Sequence, residues 1–259
     1  MKKLLSTLFA LCIIASAAAG NYKRSYSVGN FHGIDCGGIF DIVFTQSNKC
    51  DVRAESEQDI LNNVTVKVKE GILIVDYSYG FKLIKKEHAK IKLYVTAPVL
   101  NSLDASGACS FTCQTLKQTS EMEMDLSGAV KLNMNLLECS NLEADCSGAA
   151  EIRINKVKCP GNIEMDFSGA TKLMAALESN QKIEMEASGA VELQSTNMKA
   201  NRIKMEASGA VKGDIKVDCK DLHAECSGAS KLVISGTADT TKIENTGVAK
   251  IDTKGLNIF

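Results

Sequence analysis

Met122-Glu123-Met124-Asp125-Leu126-Ser127-Gly128-Ala129-Val130-Lys131-Leu132-Asn133-Met134 decides the fold of this 259-residue chain. On both sides of Ser127-Gly128 apolar residues alternate with polar ones, and a period of two is the mark of a strand with one buried face. Ser-Gly-Ala is therefore a corner between two strands. The same tripeptide begins at Ser106, Ser127, Ser147, Ser168, Ser188, Ser208 and Ser227, and a degenerate copy, Thr246-Gly247-Val248, follows. Successive copies are 21, 20, 21, 20, 20, 19 and 19 residues apart. A period that narrow makes each repeat one turn of a solenoid.

The columns of the repeat say which solenoid. One residue before the serine stand Ala105, Leu126, Cys146, Phe167, Ala187, Ala207, Cys226 and Asn245; three before stand Leu103, Met124, Ala144, Met165, Met185, Met205, Ala224 and Ile243. Both columns are almost wholly apolar, as an inward face requires. A coil of about 20 residues has room for roughly three strands of the usual five or so residues, the third being a variable segment such as Leu136 to Ser140. Like residues then stack about 4.8 Å apart in parallel register. The turn glycines Gly107, Gly128, Gly148, Gly169, Gly189, Gly209 and Gly228 fit a corner that takes positive φ and admits no side chain into the stack. A leucine-rich horseshoe shares the period, but its asparagine-centred leucine pattern and helical segments are missing from this sequence. The fold class is all-β: a single-stranded parallel β-helix, right-handed by the crossover rule.

Met1 to Ala19 carries Lys2 and Lys3, the apolar run Leu8 to Ile14 and the small residues Ala17-Ala18-Ala19, the three parts of a secretory signal peptide cleaved near Ala19. Export would place the mature chain in the periplasm, on the outer-membrane surface or outside the cell. The apolar run is too short for a transmembrane span, and no other stretch reaches the roughly 20 residues one requires. Phe9-Ala10-Leu11 is a poor lipobox for Cys12. Two prolines, no tryptophan and a formal charge of −1 argue against disorder and against a nucleic-acid surface.

Residues 20–100 lack the corner motif yet remain β-rich: Phe40 to Thr45, Val64 to Val68, Ile72 to Tyr77 and Ile91 to Thr96 are short alternating or apolar runs. Because an open solenoid end is a row of unpaired strand edges, this region reads as irregular early coils plus a cap, ahead of the regular coils of residues 101–259. Ser78 to Lys90, with Lys82, Lys85, Lys86 and Lys90, is its most prominent insertion, read either as a working loop or as a solvated one.

Ten cysteines become nine once Cys12 is removed. Cys146 and Cys226 fall in the inward column as small hydrophobes. Cys139 and Cys159 would stack on adjacent coils close enough for a disulfide, and Cys36 with Cys50 is a second pairing to consider. His32, His88 and His223 are scattered and no cysteine pair has zinc or redox spacing, so no metal centre is expected on them.

Val28-Gly29-Asn30-Phe31-His32-Gly33-Ile34, then Gly38-Ile39-Phe40-Asp41-Ile42-Val43, then Gly71-Ile72-Leu73-Ile74, then Pro98-Val99-Leu100 leading into Leu103-Asp104-Ala105-Ser106-Gly107-Ala108 resemble the auto-transporter adhesin head GIN domain family, common in Bacteroidetes. The resemblance covers nearly all of the mature chain. It implies an exported, pectin-lyase-like right-handed β-helix with a role in cell adhesion, binding glycans or other host or bacterial surface ligands, with no established catalytic residues. The sequence gives no sign of a separate membrane-anchoring barrel, so the one-chain autotransporter layout is not expected.

The candidate site is the column two before each serine: Asp104, Asp125, Asp145, Asp166, Glu186, Glu206, Glu225 and Glu244. Stacked at about 4.8 Å, neighbours repel by roughly 0.9 kcal/mol even in bulk water. Lys131, Lys172, Lys212, Lys231 and Lys250, four after the serine, are candidates for compensation across the corner. Glu123, Glu143, Glu164 and Glu184 double the acidic line, so a strip centred on Asp125, Asp145, Asp166 and Glu186 would take calcium as its cation. The plainer reading is that these carboxylates cap turn amides or face solvent. No cofactor is otherwise expected.

A pectin-lyase-like polysaccharide-degrading enzyme is the alternative function. A catalytic site would show as a departure from the repeat, and the departures are Gly213, Asn245, Lys204, His223 and Lys242, around which no catalytic set gathers. A second alternative is an envelope structural protein, a homo-oligomer joined through solenoid ends left thinly covered by Lys250 to Phe259.

Overall fold

The computed structural model describes Ile13–Ile14, residues 22–77 and residues 91–259. The lysine-rich segment Ser78 to Lys90 and the leader, apart from Ile13–Ile14, lie outside the described residues. Parallel coils of about 20 residues stack into a β-solenoid of about eight turns. Before each corner a short strand alternates strictly: Met122–Leu126, Leu142–Cys146 and Ile163–Phe167 each bury their first, third and fifth residues and expose the two between. After the corner a longer strand such as Ala129–Glu138 supplies the two remaining sides, Ala129 to Met134 pairing with Ala149 to Ile154 and Leu136 to Glu138 with Lys156 to Lys158. The inward columns form one continuous core running from Phe31 to Ala249. Phe40, Phe44, Phe111 and Phe167 are its bulkiest fully buried members, each worth about 2–3 kcal/mol of apolar burial.

Coil length varies, and the variation is absorbed at the two corners other than Ser-Gly-Ala. Ile154 pairs with Ala175, 21 residues on, whereas Val157 pairs with Leu177, 20 residues on. The offset changes at the same place in the next two coils, rising from 20 to 21 between Leu173 and Ala176 and falling from 20 to 19 between Leu193 and Thr196. Bulges at the second corner and shifts at the third, where Glu138 pairs with Lys158 but Leu142 with Ile163, therefore take up the difference, and the Ser-Gly-Ala corner keeps its register.

That corner cannot slip, because its backbone is stacked. Ala149 N–H donates to the Gly128 carbonyl at 2.9 Å, Ala170 N–H to Gly148 at 2.9 Å and Ala190 N–H to Gly169 at 3.0 Å. A Cβ on Gly128, Gly169 or Gly189 would lie 2.0 Å from the glycine carbonyl oxygen of the coil before, inside any van der Waals contact. The expectation that all seven turn glycines need positive φ is corrected. Only Gly107, at 97°, and Gly228, at 68°, have it, and the five between them are glycine because no side chain fits between coils.

The early coils are threaded out of order. Gly33–Gly38 and Phe40–Gln46 stack directly on Ser102–Gly107 and Ser110–Lys117, and on their other side lie Ile72–Tyr77 and Ile91–Ala97. The second coil in sequence is thus the outermost, and the chain passes back over the first to begin the regular repeat. Antiparallel strands finish this end: Asp51–Ser56 pairs with Ile91–Ala97 and with Tyr22–Tyr26, and Val64–Lys69 with Ile72–Tyr77. The turn Glu70-Gly71 has φ of 54° and 80°, the primed type that suits a two-residue hairpin. At the opposite end Lys250–Ile258 pairs with the strand above it, while among the described residues no strand covers the outer edge of Thr240 to Asn245.

Candidate functional site

The short strands before the corners make one lateral face, and each sends two side chains outward. Parallel in-register pairing lines these up into two columns. The first runs Asp35, Asp104, Asp125, Asp145, Asp166, Glu186, Glu206, Glu225, Glu244 without a break. Asp35 is an addition to the column read from the sequence; its coil turns at Gly37-Gly38 instead of Ser-Gly-Ala, which hid it. The second column runs Glu123, Glu143, Glu164, Glu184, Lys204, His223, Lys242. The face is therefore doubly acidic in its middle and mixed in charge toward the later coils.

Two shallow recesses mark the acidic part. One of about 320 Å³ is lined by Glu121, Glu123, Glu143 and Glu164 with Asn141 and Asn162. Another of about 240 Å³ lies among Glu143, Asp145, Glu164, Asp166, Glu184 and Glu186. The surrounding strands desolvate Asp104, and the charges of Asp35 and Asp125 add to this, so that its carboxyl is raised above the ordinary range. Asp145 is raised for the same reasons, with Asp166 and Asp125 as its neighbours. Carboxylates held together in this way are acceptors for hydroxyl donors and attract cations.

Later coils answer their carboxylates with lysines on the face itself. Lys204 Nζ lies 2.7 Å from Glu184 and 2.7 Å from Glu206, and Lys182 forms a further ion pair with Glu184. Hydrogen bonds from Lys182 and Lys204 hold Glu184 below its ordinary pKa. Lys242 lies 2.9 Å from Glu244. The lysines proposed from the repeat do not serve here. Lys131, Lys172, Lys212, Lys231 and Lys250 form their own column with Glu151 and Glu192, where Lys131 meets Glu151 at 3.0 Å and Lys172 meets Glu192 at 3.8 Å. Among the described residues none of them makes an ion pair across the corner.

The departures from the repeat resolve differently. Gly213 is a packing adjustment: a Cβ there would stand 2.8 Å from Leu232 Cδ2, so the neighbouring leucine fills its place. A recess of about 550 Å³ beside it is lined by Met174, Leu193, Gln194, Asp214 and Val233, with Glu192, Lys212 and Lys231 at its rim. Glu192 accepts from Gln194 at 2.7 Å and faces Lys172, so no pair of unencumbered carboxylates is assembled there. His223 is the departure that sequence separation concealed. It stands two residues before Glu225 and in register above Lys242, and its ring lies with Glu225 and Glu244 in one group whose ligand atoms are all within 4.8 Å of one another.

The nine cysteines among the described residues are free. Cys139 and Cys159 stack with their Sγ atoms 3.3 Å apart, as the repeat suggested. The pairing of Cys36 with Cys50 is corrected: Cys36 Sγ lies 3.6 Å from Cys109, across the interior of the corner, while Cys50 exchanges hydrogen bonds with the Phe31 backbone. Burial pushes Cys113 and Cys226 up to about 11 and Cys146 up to about 12, so these three pack as apolar groups.

No helix among the described residues is long and apolar enough to cross a membrane. No curated protein matches the chain in sequence. In structure it is similar to a "putative adhesin" from Parabacteroides merdae ATCC 43184, with a TM-score of 0.72 at 15% identity, covering 91% of this chain and 96% of that one. It is similar also to a "putative adhesin" from Bacteroides fragilis NCTC 9343, with a TM-score of 0.63 at 19% identity over 91% of this chain and 98% of that one. A "putative lipid binding protein" from Parabacteroides distasonis ATCC 8503 gives 0.72 at 15% identity over 91% and 97%. At such identities these likenesses show the fold alone. In sequence, the family described as "Putative auto-transporter adhesin, head GIN domain" matches residues 30–177 and 163–258, and the chain belongs to that family.

Proposed function

We propose that the protein is an exported adhesion module that holds surface ligands, glycans foremost, against its lateral carboxylate face without cleaving them. The observation that carries this reading is the unbroken register of Asp104, Asp125, Asp145 and Asp166 beside Glu123, Glu143 and Glu164. A row of outward acceptors about 4.8 Å apart offers a long ligand the same contact at each coil. Such a row carries a stability cost from repulsion, and a binding role gives a reason for keeping it. Uniformity argues against catalysis, because a hydrolase differentiates its two carboxylates into acid and base or nucleophile. Calcium would bind the middle strip at Asp125, Asp145, Asp166 and Glu186 as a bridge to anionic ligands, its remaining oxygens coming from ligand and water. The uncovered edge of Thr240 to Asn245, with exposed Val248, Ile258 and Phe259 beside it, supports self-association through that end.

Incubating the purified chain with an immobilised panel of mucosal, bacterial and plant glycans, with and without calcium, tests this directly. Retention with intact glycans is expected. Release of shortened products would turn the reading to a polysaccharide-degrading enzyme, and no retention on any glycan would leave an envelope scaffold.

A further inference from the structure

We infer that His223, Glu225 and Glu244 form a binding site for a divalent transition metal of the zinc class, distinct from the acidic middle of the face. One ligand atom from each of the three lies within 4.8 Å of the other two. His223 and Glu225 are two apart on one strand and so point the same way, and Glu244 is in register with Glu225 on the next coil. Ligand bonds of about 2.0–2.2 Å require the atoms to draw together by roughly an ångström, which two long glutamate side chains supply by rotamer change.

Two independent features single this group out. His223 Nε2 is buried from solvent and has no hydrogen-bond partner, an uncommon state for an imidazole nitrogen and one that a metal bond or a proton shared with a ligand relieves. Glu225 is the carboxylate that the lysines of the later coils leave out: Lys204 is engaged with Glu184 and Glu206, Lys242 with Glu244, and among the described residues no cation reaches Glu225. Lys242 competes for Glu244, but both side chains are largely exposed and such a pair is weak enough for a divalent ion to displace.

The donor set names the class of ion. One imidazole and two carboxylates suit a borderline cation that accepts three protein ligands and keeps positions open, whereas calcium calls for six to eight oxygens. Bound there, the metal joins the last two coils near the uncovered edge of Thr240 to Asn245 and leaves an open position for a donor atom from outside. This inference does not depend on the adhesion reading.

The test is titration of the chelator-stripped full chain with Zn2+ by calorimetry and by thermal unfolding, with Ca2+ in parallel. Saturable binding of a single zinc with a raised Tm is expected, weakened by on the order of tenfold or more in His223→Ala and in the near-isosteric Glu225→Gln. Asp125→Asn with Asp145→Asn should leave zinc affinity unchanged. Absence of saturable binding, or zinc affinity equal in wild type and Glu225→Gln when both show the same circular dichroism, would overturn the site. So would zinc binding lost in the Asp125→Asn, Asp145→Asn variant and kept in His223→Ala.

Discussion

The coils carrying Asp104 to Asp166 and the coils carrying Glu184 to Glu244 share one backbone and opposite electrostatics. In the first group two acidic columns stand side by side, and burial, with the charges of neighbours in their own column added to it, raises the carboxyls of Asp104 and Asp145. In the second, Lys182, Lys204 and Lys242 are interleaved with the glutamates, and Glu184 is held below its ordinary value. Both halves keep the same stacked corner and the same apolar columns within. The lesson is that the solenoid is stable from the inside, through backbone stacking and burial, so its outer columns are free to carry charge for another purpose.

The largest expected effect falls on what the halves share. Gly148→Ala in the acidic half and Gly189→Ala in the paired half should each lose on the order of 3 kcal/mol in urea unfolding, since both force a Cβ against the carbonyl of the coil before. A large difference between the two would show that the corner is not a common support. Next, Asp125→Asn with Asp145→Asn and Asp166→Asn should raise stability by about 2 kcal/mol at low salt, because several neighbour repulsions disappear, and the gain should shrink with added salt. Lys204→Met in the other half should lower it by about 1 kcal/mol, the scale of partly exposed ion pairs. The same sign in both halves would end the comparison.

The smallest effect is in the pH profile. Asp104 and Asp145 bind protons more readily folded than unfolded, so their contribution improves as pH falls through their raised values toward the unfolded value near about 4. Glu184 does the reverse: its stabilisation is present above its unfolded value and is lost as pH falls toward the lowered folded one. Comparing Asp145→Asn with Glu184→Gln between about pH 3 and 6, the range around ordinary carboxylate values, should give slopes that differ from wild type in opposite directions.

The regular half was legible because its period is written in single residues: each Ser-Gly-Ala marks a corner, and alternation around it marks the inside. Register follows from the period, so the carboxylate column could be named in order. The early coils were not legible to that depth. Nothing local in Gly33 to Ala97 says that Ile72–Tyr77 stacks outside Gly33–Gly38, since the order of coils is decided by which edge a strand meets, not by its own composition. The sequence does not say why the five middle corners need glycine, because steric exclusion between coils and positive φ select the same residue. His223 was in view in the outer column, but three histidines far apart in sequence hide a group whose members lie one coil apart in space. A corner separates the lysines four residues after the serine from the carboxylates, and the lysines that reach stand on the acidic face itself.

The most direct measurement sets binding against stability in one variant. Asp125→Asn with Asp145→Asn and Asp166→Asn is compared with wild type for retention on those glycans that hold the wild-type chain, alongside its urea midpoint. The account expects a variant that is more stable and no longer retained, since the same carboxylates strain the fold and make the contact. A variant that is more stable and still retained as well as wild type would contradict it, and would move the contact surface off the carboxylate face.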